Sequence, residues 1–207
     1  DRGSVAPLNP TDVARALGLP ANYAPVLESL RRFYFEADAA LESDVDLPCH
    51  KGCDACCHES VFVSAPEMML IIEYLHTQDR LTSVTEAMLR IAESFEEDFE
   101  LLELLEPGAE RDEVAARIKF RCPMLGDDGA CTVYPVRELN GRSFGRSYDG
   151  DTPYGCELTH ERLRVLQHPP LHDARALRRR LVAAVPEAQA VRTFPDWFQR
   201  LTSALKD

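Results

Sequence analysis

Cys49-His50-Lys51-Gly52-Cys53-Asp54-Ala55-Cys56-Cys57-His58 carries four of the chain's seven cysteines. A single cysteine is a small hydrophobe that packs inside. Four of them, interleaved with Lys51, Gly52 and Asp54, make no apolar face of a helix or strand. Thiolates this close share a cation or an iron–sulfur cluster, form disulfides, or repel one another. Thiolate is a soft ligand that suits zinc, cuprous copper and iron–sulfur clusters. Cys53-Asp54-Ala55-Cys56 is a turn that lets two sulfurs reach one ion, Gly52 gives it conformational freedom, and Cys49 can fold back onto the same centre. Adjacent Cys56 and Cys57 point in different directions, so one binds locally and the other faces a second centre or joins Cys122 and Cys131. His50 and His58 flank the stretch as reserve ligands. The predicted fold is mainly helical with a small β-hairpin, its cysteine-rich metal-binding core surrounded by helices.

The remaining cysteines lie further along. Arg121 to Leu125, Gly126-Asp127-Asp128-Gly129, then Ala130 to Tyr134 reads as two short apolar runs around a turn, which predicts a hairpin with Cys122 and Cys131 on adjacent strands. Residues 140–156 hold Gly141, Gly145, Gly150, Pro153 and Gly155 and read as an irregular loop ending at Cys156. The predicted ligand set is therefore Cys49, Cys53, Cys56, Cys57, Cys122, Cys131 and Cys156. One structural zinc takes four ligands. The surplus implies two metals, a cluster with spare thiols, or a site with exchangeable ligands. The spacing matches neither the ferredoxin runs nor paired zinc-ribbon knuckles, so zinc and iron both stay open.

Around this core the periodicity predicts helices. Val26, Leu30, Phe33, Ala37 and Leu41 form one stripe over residues 24–41. Ser64-Ala65-Pro66-Glu67 is a helix start with a capping box and Pro66 in the first turn, carrying Met68, Ile71, Ile72 and Leu75 inward. Ser83-Val84-Thr85-Glu86 offers a second box, opening one long helix with Val84, Met88, Ile91, Phe95, Phe99 and Leu102 on a stripe and a strongly acidic opposite face. Further helices are predicted over 111–120, 173–185 and from Phe194 onward, with Trp197 as core. Residues 1–207 read as one domain, with 49–156 as the cysteine-cluster core and 157–207 as a helical extension.

Composition bounds the function. The formal charge is −12, which argues against non-specific nucleic-acid binding. Arg175, Arg178, Arg179 and Arg180 are the local exception and read as a solvated face. No apolar run approaches a membrane span, and no secretory signal is visible in a chain that starts at Asp1. An odd number of cysteines suits reduced thiols, so a cytoplasmic location is expected. No phosphate loop, dinucleotide fingerprint or Ser-His-Asp order points to another enzyme class.

Cys49-x-x-x-Cys53-x-x-Cys56-Cys57 resembles the signature of the bacterial cysteine-cluster proteins of the YkgJ type, described as a zinc- or iron-chelating domain. Cys122-Pro123-Met124-Leu125, followed by Gly129-x-Cys131-Thr132-Val133-Tyr134-Pro135-Val136-Arg137, is similar to that family's second run. Where the family continues Arg-Pro-x-x-Cys-Arg, this chain has Arg137-Glu138-Leu139-Asn140-Gly141-Arg142, so one ligand is missing at Gly141. The resemblance implies a zinc, iron or iron–sulfur centre with a structural or regulatory role. The alternative it leaves is a zinc or iron–sulfur oxidoreductase-like metalloenzyme with an open position near Gly141. A third possibility is thiol–disulfide exchange through Cys53 and Cys56. The metal ion is the expected partner, and no protein partner or substrate is named. Arg137 and Arg142 are candidate anion binders, or partners of the abundant carboxylates.

Overall fold

Ser64-Ala65-Pro66-Glu67 opens the helix around which the others pack. The computed structural model describes residues 9–42, 53–54, 57–106, 108–165 and 172–205. Among these the helices are α1 (Pro10–Ala16), α2 (Ala24–Leu41), α3 (Ala65–Thr77), α4 (Leu81–Ser94), α5 (Glu96–Leu104), α6 (Ala109–Arg117), α7 (Leu139–Ser143), α8 (Glu157–Arg164), α9 (Ala174–Ala184) and α10 (Phe194–Ala204). The strands are β1 (Phe62–Ser64), β2 (Ser147–Asp149), β3 (Thr152–Tyr154), β4 (His172–Asp173) and β5 (Val191–Thr193).

α3 is buried at every position from Ala65 to Ile72. A helix that is apolar on all sides needs neighbours on all sides. α1, α2 and α4 pack on it, α9 packs on α2, and α10 packs on α4 and α1. One contiguous core results, running from Val13 through Leu30, Met68 and Met88 to Leu201. A smaller cluster under α5 and α6 holds Phe99, Leu102, Val114 and Ile118.

The strands are short and form two open sheets. β1 pairs antiparallel with β5, and each leads directly into a helix with proline in its first turn. Trp197 Nε1 donates to Val63 O at 2.8 Å, which locks α10 to β1. The second sheet has the order β3-β2-β4, with β2 and β4 parallel.

Several expectations need correction. There is no hairpin ladder between Cys122 and Tyr134: the segment folds back through one isolated bridge, Leu125 opposite Cys131. The β-hairpin is instead β2–β3, in the stretch read as loop. Its connection is Gly150-Asp151, with Gly150 at φ +64°, a conformation such tight turns need. The long acidic helix breaks at Phe95 (φ −126°, ψ 30°) into α4 and α5. α4 begins before Ser83, whose hydroxyl donates to Arg80 O, so no capping box forms there. The chain is mainly helical, but the cysteine-rich metal-binding core is not found among the described residues.

Candidate functional site

A cavity of about 760 Å³ opens between the segment leading into β1, the 118–134 region, α7, the β2–β3 hairpin and the start of α9. That size lies within the range of about 300–1,000 Å³ typical of small-molecule sites. Rings of Phe62, Phe120, Tyr134, Phe144, Tyr154 and Phe194 line it, with Val61, Met124 and Val133 between them. Phe144 and Tyr154 meet edge to face, their centroids 5.0 Å apart.

Five predicted ligands, Cys53, Cys57, Cys122, Cys131 and Cys156, also line this cavity, all half-buried. Antiparallel strands of chain bring two of them together: Cys122 N–H donates to Cys57 O at 2.8 Å. Cys156 is the N-cap residue of α8, its Sγ 3.6 Å from Thr159 Oγ1. Cys49, Cys56 and His50 lie outside the described residues, and with them the proposed Cys53–Cys56 turn. His58 pairs with Asp54 at 3.6 Å on the surface.

The sulfurs share a cavity without converging on a point. Among the described residues, no three His, Cys, Asp or Glu side chains are placed to hold a metal ion. Zinc needs thiolate sulfurs at about 2.3 Å from one centre. The metal reading is therefore corrected for zinc, iron and iron–sulfur alike, as structural centre, as metalloenzyme and as the chain's partner. Two thiols from the crowded stretch and three from distant segments line one cavity, and among the described residues no three of them are placed to hold one ion.

Gly141 has a different explanation from a lost or open ligand position. Glu138 is the N-cap of α7, and its Oε1 accepts from Gly141 N–H at 2.8 Å. A Cβ at residue 141 would sit 2.8 Å from that same oxygen. Glu138 and Gly141 are thus one unit: a buried carboxylate caps the helix, and the glycine leaves room for it.

The arginines divide into tied and untied. Arg142 is buried; its Nε donates to Arg137 O at 2.8 Å, its Nη2 to Pro135 O at 2.9 Å, and its Nη1 pairs with Asp38. Its guanidinium lies 3.9 Å from the centroid of the Tyr34 ring. It is a structural tie and not an anion site. Arg137 stacks on Tyr134 at 3.7 Å from the ring centroid, and its Nε is buried without a hydrogen-bond partner among the described residues. Of the α9 arginines read as a solvated face, Arg175, Arg178 and Arg179 line the cavity. Burial lowers the pKa of Arg178, against the attraction of Glu67.

Burial, with Glu67 nearby, raises the pKa of Glu138 despite its helix-capping bond and Arg137. The folded protein therefore disfavours the charged form. The stability contributed by the neutral carboxyl is full below the ordinary glutamate range and is lost as pH rises through the raised folded value. Glu138→Gln removes this dependence while keeping an acceptor for Gly141 N–H. In urea unfolding, the variant is expected to gain on the parent more at about pH 7.5 than at about pH 4.5. An equal difference at both pH values contradicts it.

Sequence reasoning missed the aromatic wall and Arg146. The available signal was the density of Arg and aromatic residues from Tyr134 to Tyr154, masked by the glycines between them. No family model, no curated protein and no solved structure matches this chain. The resemblance to the YkgJ-type family is thus unsupported by sequence match and by thiol geometry alike.

Proposed function

We propose that the protein binds a small, largely apolar organic molecule in the cavity. The observation that carries this reading is the cavity itself, about 760 Å³ walled by six aromatic rings. Aromatic walls of this kind exclude water from a ligand and reward its apolar area at about 25 cal/mol per Å². Two companion readings go with it. The whole chain, 1–207, acts as one domain, supported by a core that runs from Val13 to Leu201. The protein works in a reducing cytoplasm, supported by the free thiols of Cys53, Cys57 and Cys156. Among the described residues, no helix is long and apolar enough to cross a membrane.

Cinnamyl alcohol is a suitable neutral probe. Saturation-transfer NMR of the full chain is expected to show saturable binding. Ala174 lines the cavity at the first position of α9, where Asp173 caps through its own side chain. Ala174→Trp fills the space and is expected to weaken binding roughly tenfold or more, a loss of at least about 1.4 kcal/mol. Binding unaffected by Ala174→Trp places the probe elsewhere and defeats the proposal.

A further inference from the structure

We infer that the cavity's ligand is a monocarboxylate whose charge is met by Arg137. This rests on the small-molecule reading above and adds the charge class and the anchor. Six arginines line the cavity. Arg142 pairs with Asp38, Arg175 with Asp149, Arg178 approaches Glu67 at 3.6 Å, and Arg179 approaches Asp173 at 3.8 Å. Arg146 donates to Leu41 O at 2.9 Å, at the end of α2 where carbonyls attract a cation. Among the described residues, Arg137 alone of the six has neither a carboxylate nor a carbonyl partner in an ion pair or hydrogen bond. Tyr134 supports it from below, and its Nε is buried and unsatisfied.

The neighbouring Glu138 does not occupy that role, because its carboxylate is turned to Gly141 N–H and capped into α7. An unsatisfied buried donor costs about 1–3 kcal/mol. Rotating the side chain onto an incoming acceptor removes that cost. A guanidinium already stacked on a ring is weakly hydrated and presents its flat edge, which matches a carboxylate bidentately. Asp112 and Glu138 line the cavity too, without ion pairs among the described residues, and Glu138 already feels the charge of Arg137, so one negative charge on the ligand is the most that Arg137 can meet. A dianion would leave a second charge unpaired in low dielectric. It would also meet the field of a chain whose net charge is −12.

Calorimetry with cinnamate, cinnamyl alcohol and phenylphosphonate tests this on the full chain. Cinnamate is expected to bind at least about tenfold tighter than the alcohol. Phenylphosphonate, compared with cinnamate at a mildly alkaline pH where it is mostly dianionic, is expected to bind more weakly than cinnamate. Arg137→Gln is expected to abolish the preference for cinnamate over the alcohol, with circular dichroism showing that the variant is folded. Arg137→Lys should keep part of the preference. Equal binding of cinnamate and the alcohol by the parent, a preference that survives Arg137→Gln, or tighter binding of phenylphosphonate overturns the inference and leaves the small-molecule reading standing. Failure of every probe to bind overturns both.

Discussion

Glu67→Ala is expected to lower the unfolding free energy by about 4 kcal/mol or more. Glu67 is almost completely buried, yet its two oxygens are fully engaged. Oε1 accepts from Tyr34 OH at 2.9 Å and from Leu139 N–H at 2.8 Å. Oε2 accepts from Ser64 N–H at 2.9 Å and from Ser64 Oγ–H at 2.6 Å. One carboxylate therefore joins the start of α3, the middle of α2 and the start of α7. Truncation leaves four donors without acceptors, each costing about 1–3 kcal/mol when buried, less whatever relaxation recovers. It also leaves Arg178 without its carboxylate neighbour. Set against a typical total of about 5–15 kcal/mol, this loss is close to abolishing the fold. Glu67→Gln keeps one acceptor oxygen and should fall between parent and alanine. Urea unfolding followed by circular dichroism reads both variants. A loss below about 1 kcal/mol for Glu67→Ala contradicts the hub role.

Arg142→Ala is expected to cost about 3 kcal/mol. The ion pair with Asp38 is a minor part of this, because Asp38 is about half exposed (49%) and solvent screens it. The larger part comes from the carbonyls of Arg137 and Pro135, which lose their donors, and from the Tyr34 ring, which loses the stacked guanidinium. Three separate acceptors and a ring face need a planar fork, so Arg142→Lys should recover less than half the loss. Full recovery by lysine in the same unfolding measurement would mean that charge alone matters there. Because Arg142 also holds the Arg137 backbone, both variants should weaken cinnamate binding beyond their effect on cinnamyl alcohol.

Sequence and structure agree where local physics decides. Residues 24–41 form α2 at those bounds, and Ser64-Ala65-Pro66-Glu67 opens α3 with its capping box. The same spacing recurs in Thr193-Phe194-Pro195-Asp196, with a different outcome. There Asp196 turns to Arg192 at 3.1 Å and Arg200 at 3.0 Å, and Thr193 Oγ1 is buried without a partner among the described residues. Arginines four residues before and after Asp196 outcompeted the cap, and the four-residue cap window includes neither of them. The Gly129 and Gly150 turns show the same limit: both look alike in sequence, but only the second gains a ladder. The cysteines show it most sharply. Their spacing predicts a shared metal centre, which the described residues do not form, because whether sulfurs face a common point or a common space depends on backbone paths 65 or more residues apart. The Arg142–Asp38 tie, 104 residues apart in the chain, was equally invisible.

Methyl NMR of methionine tests most directly whether the cavity is a ligand site. The chain has four methionines, of which only Met124 lines the cavity; Met68, Met69 and Met88 are buried in the helical core. Addition of cinnamyl alcohol is expected to move the Met124 resonance saturably and leave the other three in place. An unmoved Met124, or a response centred on Met68, Met69 or Met88, would contradict the assignment of the cavity as the binding site.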